Sequence, residues 1–214
     1  MRGKTSLTLK DCAPIKNNIV DLIPPESIAA YLYIKQRLKN KKSIYKDFEF
    51  RFVFRSFYGI SNKTMDRQAA DAYFYIFEKA RSACSLSLSN LLKDHYNKIK
   101  GNKKYYFSFI TKLMHSIDNE LPIYDSNVNQ ALKPRFSYKN EGKIENATDY
   151  YYKLIHWYKE VMPKNEEIRK TITYFRSKFK CPKINDVKVA DFILWQAGKQ
   201  MKQQDASLQS HNKS

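Results

Sequence analysis

Apolar side chains recur at helical spacing in one segment after another of this chain. The clearest case is 65–81, where Met65, Ala69, Ala72, Tyr73, Ile76, Phe77 and Ala80 line one face of a 3.6-residue repeat. Thr64 stands where an N-cap is expected. Only five glycines occur in 214 residues, so turns fall to Pro, Asn, Asp and Ser. The expected fold class is all-α.

Other segments follow the same pattern. Pro24-Pro25-Glu26 opens a helix with Ile28, Tyr31, Leu32 and Leu38 as its stripe, and its end carries Lys35, Arg37, Lys39, Lys41 and Lys42. Leu88, Leu91, Leu92, His95, Tyr96 and Ile99 define a second helix ending before Gly101. His95 is read there as a packed side chain rather than a ligand. A helix over 149–161 stops at Pro163, Asn165 caps the next, and Cys181-Pro182 breaks that one. Asp186 starts the last, for which Gly198 is the expected C-cap. Residues 44–58 carry two patterns. Phe48, Phe50, Phe52 and Phe54 alternate as in a strand, yet Phe50, Val53, Phe54, Phe57 and Tyr58 also share a helical face. Helix is the reading preferred, because no second strand is evident to pair with it.

A chain of this length buries roughly 70% of the surface it exposes unfolded, enough for a core without covalent staples. The expectation is one helical domain over 1–198, in one lobe or two. Residues 1–20 form an irregular lead-in and 199–214 a disordered polar tail.

Thirty-nine basic residues face 21 acidic ones, a formal net charge of +18. Such a field attracts polyanions, and neutralised phosphates release counterions. An AT-rich coding bias accounts for Lys outnumbering Arg, and less well for the excess of positive over negative charge. Nucleic acid is the expected partner, DNA ahead of RNA, with an acidic protein as the alternative. Cys12, Cys84 and Cys181 are far apart and form no CxxC. The four histidines share no ligand spacing with one another or with cysteine. Neither a metal nor a cofactor is expected. The N-terminus lacks the apolar core of a signal peptide, and no apolar run approaches the ~18–20 residues of a membrane span. A cytoplasmic protein that does not engage a membrane is the expectation.

The segment Tyr105–Leu132 stands apart. Tyr106, Ile110, Leu113 and Ile117 make one apolar face; Asp118, Asn119 and Pro122 make a break; Asp125 and Ser126 then open a short helix over 127–132. An Asp at that point caps the first backbone N–H groups. Lys112 reads as a lysine at the edge of the apolar face. Lys98, Lys100, Lys103 and Lys104 precede it as candidate phosphate contacts, with Tyr105 and Ser108 beside them.

Ser108-Phe-Ile-Thr-Lys-Leu113 followed by Leu121-Pro-Ile-Tyr-Asp-Ser-Asn-Val128 resembles the heart of the helix-hairpin-helix DNA glycosylases, the 8-oxoguanine glycosylase branch in particular. The pattern is also similar to a group of uncharacterised bacterial proteins that end in an Asp-Phe-Ile-Leu-Trp-Gln element, here Asp191–Gln196. The resemblance implies a helix-hairpin-helix glycosylase fold. It places 108–112 in the second half of the hairpin, Lys112 as the catalytic lysine and Asp125 as the catalytic aspartate. The implied reaction takes a damaged base out of the stack. Lys112 attacks C1′ and forms a Schiff base with the opened sugar, while Asp125 stabilises the developing positive charge. Ser108 and Ile110 occupy the places of the hairpin glycines, and the Lys112–Asp125 interval is shorter than the family's. Three functions stay open on these grounds: a DNA glycosylase or lyase, a non-catalytic nucleic-acid-binding protein, and a basic protein that docks an acidic partner.

Overall fold

In a computed structural model that describes residues 18–40, 42–100, 104–132, 144–181 and 183–211, every regular element is a helix. The fold is all-α. The helices are α1 (Asn18–Asp21), α2 (Pro25–Lys39), α3 (Phe48–Tyr58), α4 (Arg67–Arg81), α5 (Leu88–Lys98), α6 (Phe107–Ile117), α7 (Ser126–Ala131), α8 (Ile144–His156), α9 (Glu166–Phe179) and α10 (Asp186–His211). A π-turn (Trp157–Val161) and a 3-10 turn containing Pro163 follow α8. The chain divides into two compact units. One comprises Pro24–Ile123 with Lys139–Tyr151, and the other Met1–Ile23 with Tyr124–Tyr138 and Tyr152–Ser214.

The first unit is built on aromatic packing. From α3, Phe50, Phe54 and Tyr58 turn inward, and α4 meets them with Tyr73, Phe74 and Phe77. Ring centroids lie 5.2 Å apart for Phe54 and Phe77 and 5.7 Å for Phe54 and Phe74, both in the edge-on arrangement that aromatic quadrupoles favour. Segment 44–58 is therefore helical from Phe48 onward. Asp47 starts that helix by accepting from Phe50 N (3.0 Å). Gly59 ends it at φ 67°, a left-handed conformation that costs glycine nothing.

The cap of α4 is Asp66, which accepts from Ala69 N at 2.8 Å, rather than Thr64. Thr64 instead closes the preceding turn, its hydroxyl accepting from Ser61 N (2.9 Å). In α2 the inward residues are Ile28, Tyr31 and Ile34, while Leu32 points to solvent. His95 is packed as expected, its Nε2 donating to the Ala69 carbonyl at 2.9 Å.

In the second unit, α10 continues past Gly198 to His211, so the described part of the expected tail is helical. Gly198 is consequently no cap. A Cβ there would stand 1.8 Å from the Asn127 carbonyl oxygen, so glycine is what lets α10 lie against the backbone of α7. Lys202 and Asp205 explain why the helix persists. Lys202 Nζ donates to Ser126 Oγ (2.9 Å) and Asn127 Oδ1 (2.8 Å), and Asp205 accepts from Gln130 Nε2 (3.1 Å). Within α10, Lys188 and Asp191 form a buried ion pair of 2.7 Å.

Candidate functional site

The first candidate surface surrounds the loop between α5 and α6. Lys98, Lys100 and Lys104 are exposed there. Lys98 Nζ stands 3.8 Å from the Tyr75 ring centroid and Lys104 Nζ 4.8 Å from that of Tyr106, cation–π geometry that orders the amines without removing them from water. Tyr105 is stacked on Tyr96, centroids 4.6 Å apart. Ser108 lies in the first turn of α6, where its carbonyl accepts from Thr111 Oγ1 (2.8 Å). Lys103 falls outside the described residues. Residues 108–112 belong wholly to α6, so they form helix rather than the second half of a hairpin.

Lys112 is 6% exposed. Its Nζ donates to the Tyr58 carbonyl (3.3 Å) and lies 5.0 Å from the Phe109 ring. Its neighbours on α6 are polar and buried as well. Thr111, His115 and Ser116 are all enclosed. His115 Nδ1 is 2.7 Å from the Leu121 carbonyl, which only accepts, so that nitrogen carries a proton. Ser116 Oγ donates to the Lys112 carbonyl (2.7 Å). Lys35 reaches over from α2 and donates to the Ser116 carbonyl (2.7 Å). Burial, with Lys39 nearby, pushes the Lys35 amine down to about 8 against an opposing pull from Asp118.

Asp125 is the N-cap of α7 and accepts from Asn127 N at 2.9 Å. This is the capping role that its place in the sequence offers beside the catalytic one. Lys112 and Asp125 belong to different compact units.

A second surface escaped the sequence reading. A groove of about 1110 Å³ is bounded by α3, the turn after it and the first turn of α4. Phe48, Arg51, Phe52 and Arg55 stand at i, i+3, i+4 and i+7 of α3, a single helical stripe, and all four line it. Arg67 and Asp71 contribute from α4. Phe48 and Phe52 are 79% and 72% exposed, the two most exposed aromatic rings among the described residues. The arginines are held in place. Arg51 donates to the Tyr45 carbonyl (3.2 Å) and to Asp71 Oδ1 (3.2 Å), and Arg55 to the Ile60 carbonyl (3.1 Å) and Asn62 Oδ1 (2.8 Å). The signal was present in the sequence, because Phe48 and Phe52 are one helical turn apart and both lie off the Phe50–Phe54 face.

The chain matches no protein-family model, no curated protein and no solved structure. Function is therefore argued from these two surfaces and from the charge. No helix is long and apolar enough to cross a membrane, and no group of His, Cys, Asp and Glu could hold a metal ion, among the described residues.

Proposed function

We propose that this protein binds nucleic acid, DNA foremost, and that the α5–α6 loop is part of its binding surface. The observation that carries this reading is the clustering of three exposed lysines, Lys98, Lys100 and Lys104, at one interhelical loop of a chain with net charge +18. Lysines of this kind neutralise phosphates without reading bases, so they supply salt-sensitive affinity rather than sequence choice.

Base excision is a second reading. What favours it is the resemblance to helix-hairpin-helix glycosylases, which assigns the catalytic lysine to Lys112, a residue of the helix next after this loop. What weighs against it is access. An amine 6% exposed and engaged with the Tyr58 carbonyl must move before it meets the C1′ of an extruded nucleotide.

Fluorescence anisotropy with a labelled DNA duplex, titrated at rising salt, tests the binding. Affinity should fall steeply with salt. The triple substitution Lys98→Ala, Lys100→Ala, Lys104→Ala should flatten the logarithmic slope by about 0.9 for each phosphate that is no longer neutralised. No binding even at low salt would overturn the reading and leave an acidic protein as the partner. Borohydride treatment on DNA carrying abasic sites or oxidised purines separates the two readings. A crosslink that disappears in Lys112→Ala would make the protein an enzyme, and its absence across a broad lesion panel leaves a binding protein.

A further inference from the structure

The groove bounded by α3 and the start of α4 has no part in the α5–α6 surface, and folding does not account for its most prominent feature. Two large apolar rings, Phe48 and Phe52, face solvent from the same stripe of α3 as Arg51 and Arg55. Isolated exposed apolar residues need no explanation, but adjacent ones interleaved with cations form a patch. On one helix, i and i+4 residues are about 6 Å apart along the axis. The two rings therefore stand one turn apart on the exposed stripe, with the Arg51 guanidinium over the Phe48 ring at 5.9 Å.

The charge of the groove is positive. Three arginines line it against one acid, Asp71, and that acid is engaged by Arg51 Nη2 and by the Tyr45 hydroxyl (3.0 Å). Arg51 and Arg55 each commit two of their five N–H donors to the protein. The remaining donors of Arg55 are pre-positioned, so little freedom is lost when they meet a phosphate, while the Arg51 side chain, 18% exposed and packed against the Tyr45, Phe48 and Phe74 rings, lends the groove its charge. Arg51 also lies over the Phe74 ring at 4.9 Å, which fixes its guanidinium plane against α4. Arg67 is exposed at the first position of α4.

We propose that this groove is a binding site for single-stranded nucleic acid, with Arg55 and Arg67 on the phosphates, Arg51 adding to the positive field, and Phe48 and Phe52 stacked on the bases. An unpaired strand presents phosphates and bare base faces together and in succession, as two rings one turn apart beside a basic track require. A duplex offers phosphates but keeps its bases stacked, and an acidic peptide offers charge without successive flat faces. Stacking on aromatic rings beside a basic track is how strands are held without sequence choice. The inference rests on the nucleic-acid reading above and assigns to it a second, strand-selective surface.

The test compares a fluorescein-labelled oligodeoxythymidine with a blunt duplex, for the full chain and for Phe48→Ala/Phe52→Ala. The double variant should bind the oligonucleotide at least about tenfold more weakly, with duplex affinity and thermal melting unchanged. Arg67→Ala should weaken oligonucleotide binding and reduce its salt slope by about 0.7. Should the wild type bind the oligonucleotide and the double variant bind it equally well, the groove assignment is wrong while the nucleic-acid reading stands. Should the wild type bind neither nucleic acid, the reading beneath it fails. A groove that instead takes an acidic peptide would lose polyglutamate binding in the double variant while keeping oligonucleotide binding, and that result also overturns the assignment.

Discussion

Helices α3 and α6 belong to the same unit and depart from the burial rule in opposite senses. Almost the whole circumference of α6 is enclosed, and what it encloses includes Lys112, Thr111, His115 and Ser116. Helix α3 has a conventional inner face of Phe50, Phe54 and Tyr58, yet it leaves Phe48 and Phe52 in water. Polar groups are inside in one and apolar groups outside in the other. Buried polar residues and exposed apolar patches are the two informative exceptions to hydrophobic sorting. They differ in what explains them. On α6, Lys112, His115 and Ser116 each bond to a protein carbonyl, and Thr111 does the same, so folding accounts for their polarity. On α3, the rings at 48 and 52 stay mostly in water, so burial does not call for them. The lysine singled out by a chemical motif is built into the interior, and the two rings that burial does not call for lie on a stripe that carries no motif.

The largest expected effect probes the two faces of α3 against each other. Phe54→Ala deletes a fully buried ring from the aromatic core and should destabilise the protein by about 3–5 kcal/mol in urea denaturation. Phe52→Ala should change stability by no more than about 0.5 kcal/mol, and its effect should appear in oligonucleotide affinity instead. If Phe52→Ala destabilises as Phe54→Ala does, the outer rings serve the fold and the contrast dissolves.

A second substitution asks whether the polar interior of α6 is structural. Lys112→Ala removes a charged donor from the Tyr58 carbonyl and should cost about 1.5–3 kcal/mol of stability. Nucleic-acid affinity should not change. A variant as stable as the wild type but unable to form a borohydride-trapped crosslink would reverse the assignment, showing Lys112 held for chemistry rather than for packing.

Much of the fold was legible in the sequence, because most of its helices carry their own periodicity and caps. The α4 face from Ala69 to Ala80, Asn165 as the cap of α9 and Asp186 at the start of α10 all follow from local patterns. What was not legible is what depends on a distant partner. Gly198 looked like a stop because glycine commonly ends helices, and only the neighbouring Asn127 backbone shows why it is needed mid-helix. The helix beyond it is polar and gives no apolar stripe to read, yet Lys202 and Asp205 are held by α7. Thr64 was expected as the cap of α4, but the turn it forms with Ser61 engages its hydroxyl and the cap is Asp66. The groove was missed for a related reason. Reading α3 for its core face discards the opposite stripe, where Phe48 and Phe52 stand.

The pH dependence of Lys35 sharpens the picture of α6 further. This amine bonds to the Ser116 carbonyl, and burial, with Lys39 beside it, lowers it to about 8. The unfolded chain keeps an ordinary lysine, near ~10.4. Between these values the unfolded state holds more protons than the folded one, so stability rises with pH across the window, and below about 8 the folded protein bears the whole penalty. The full shift corresponds to about 3 kcal/mol, reduced to the order of 1–2 kcal/mol by the solvent that still reaches this side chain. Lys35→Met lacks the titration. Its stability advantage over the wild type, or the smaller disadvantage left by losing the bond to Ser116, should shift toward the wild type by that amount between about pH 7 and about pH 10. A gap independent of pH would mean that water reaches this end of α6 more freely than its burial indicates.

The smallest effect decides most cleanly between a structural and a chemical use of the Tyr105–Leu132 segment. Asp125 caps α7 through its bond with Asn127 N. Asparagine caps as well as aspartate, whereas alanine does not. Asp125→Ala should therefore cost about 1 kcal/mol, and Asp125→Asn should restore nearly all of it. Asparagine carries no negative charge, so it cannot stabilise a cationic sugar or accept a proton from an attacking amine. If the cap is all that Asp125 supplies, Asp125→Asn should match the wild type in melting temperature and in DNA affinity, and should leave borohydride trapping as absent as before. If trapping is present in the wild type and lost in Asp125→Asn without loss of stability, the carboxylate is used for its charge, and the interior polarity of α6 would then have to be read as part of a reaction.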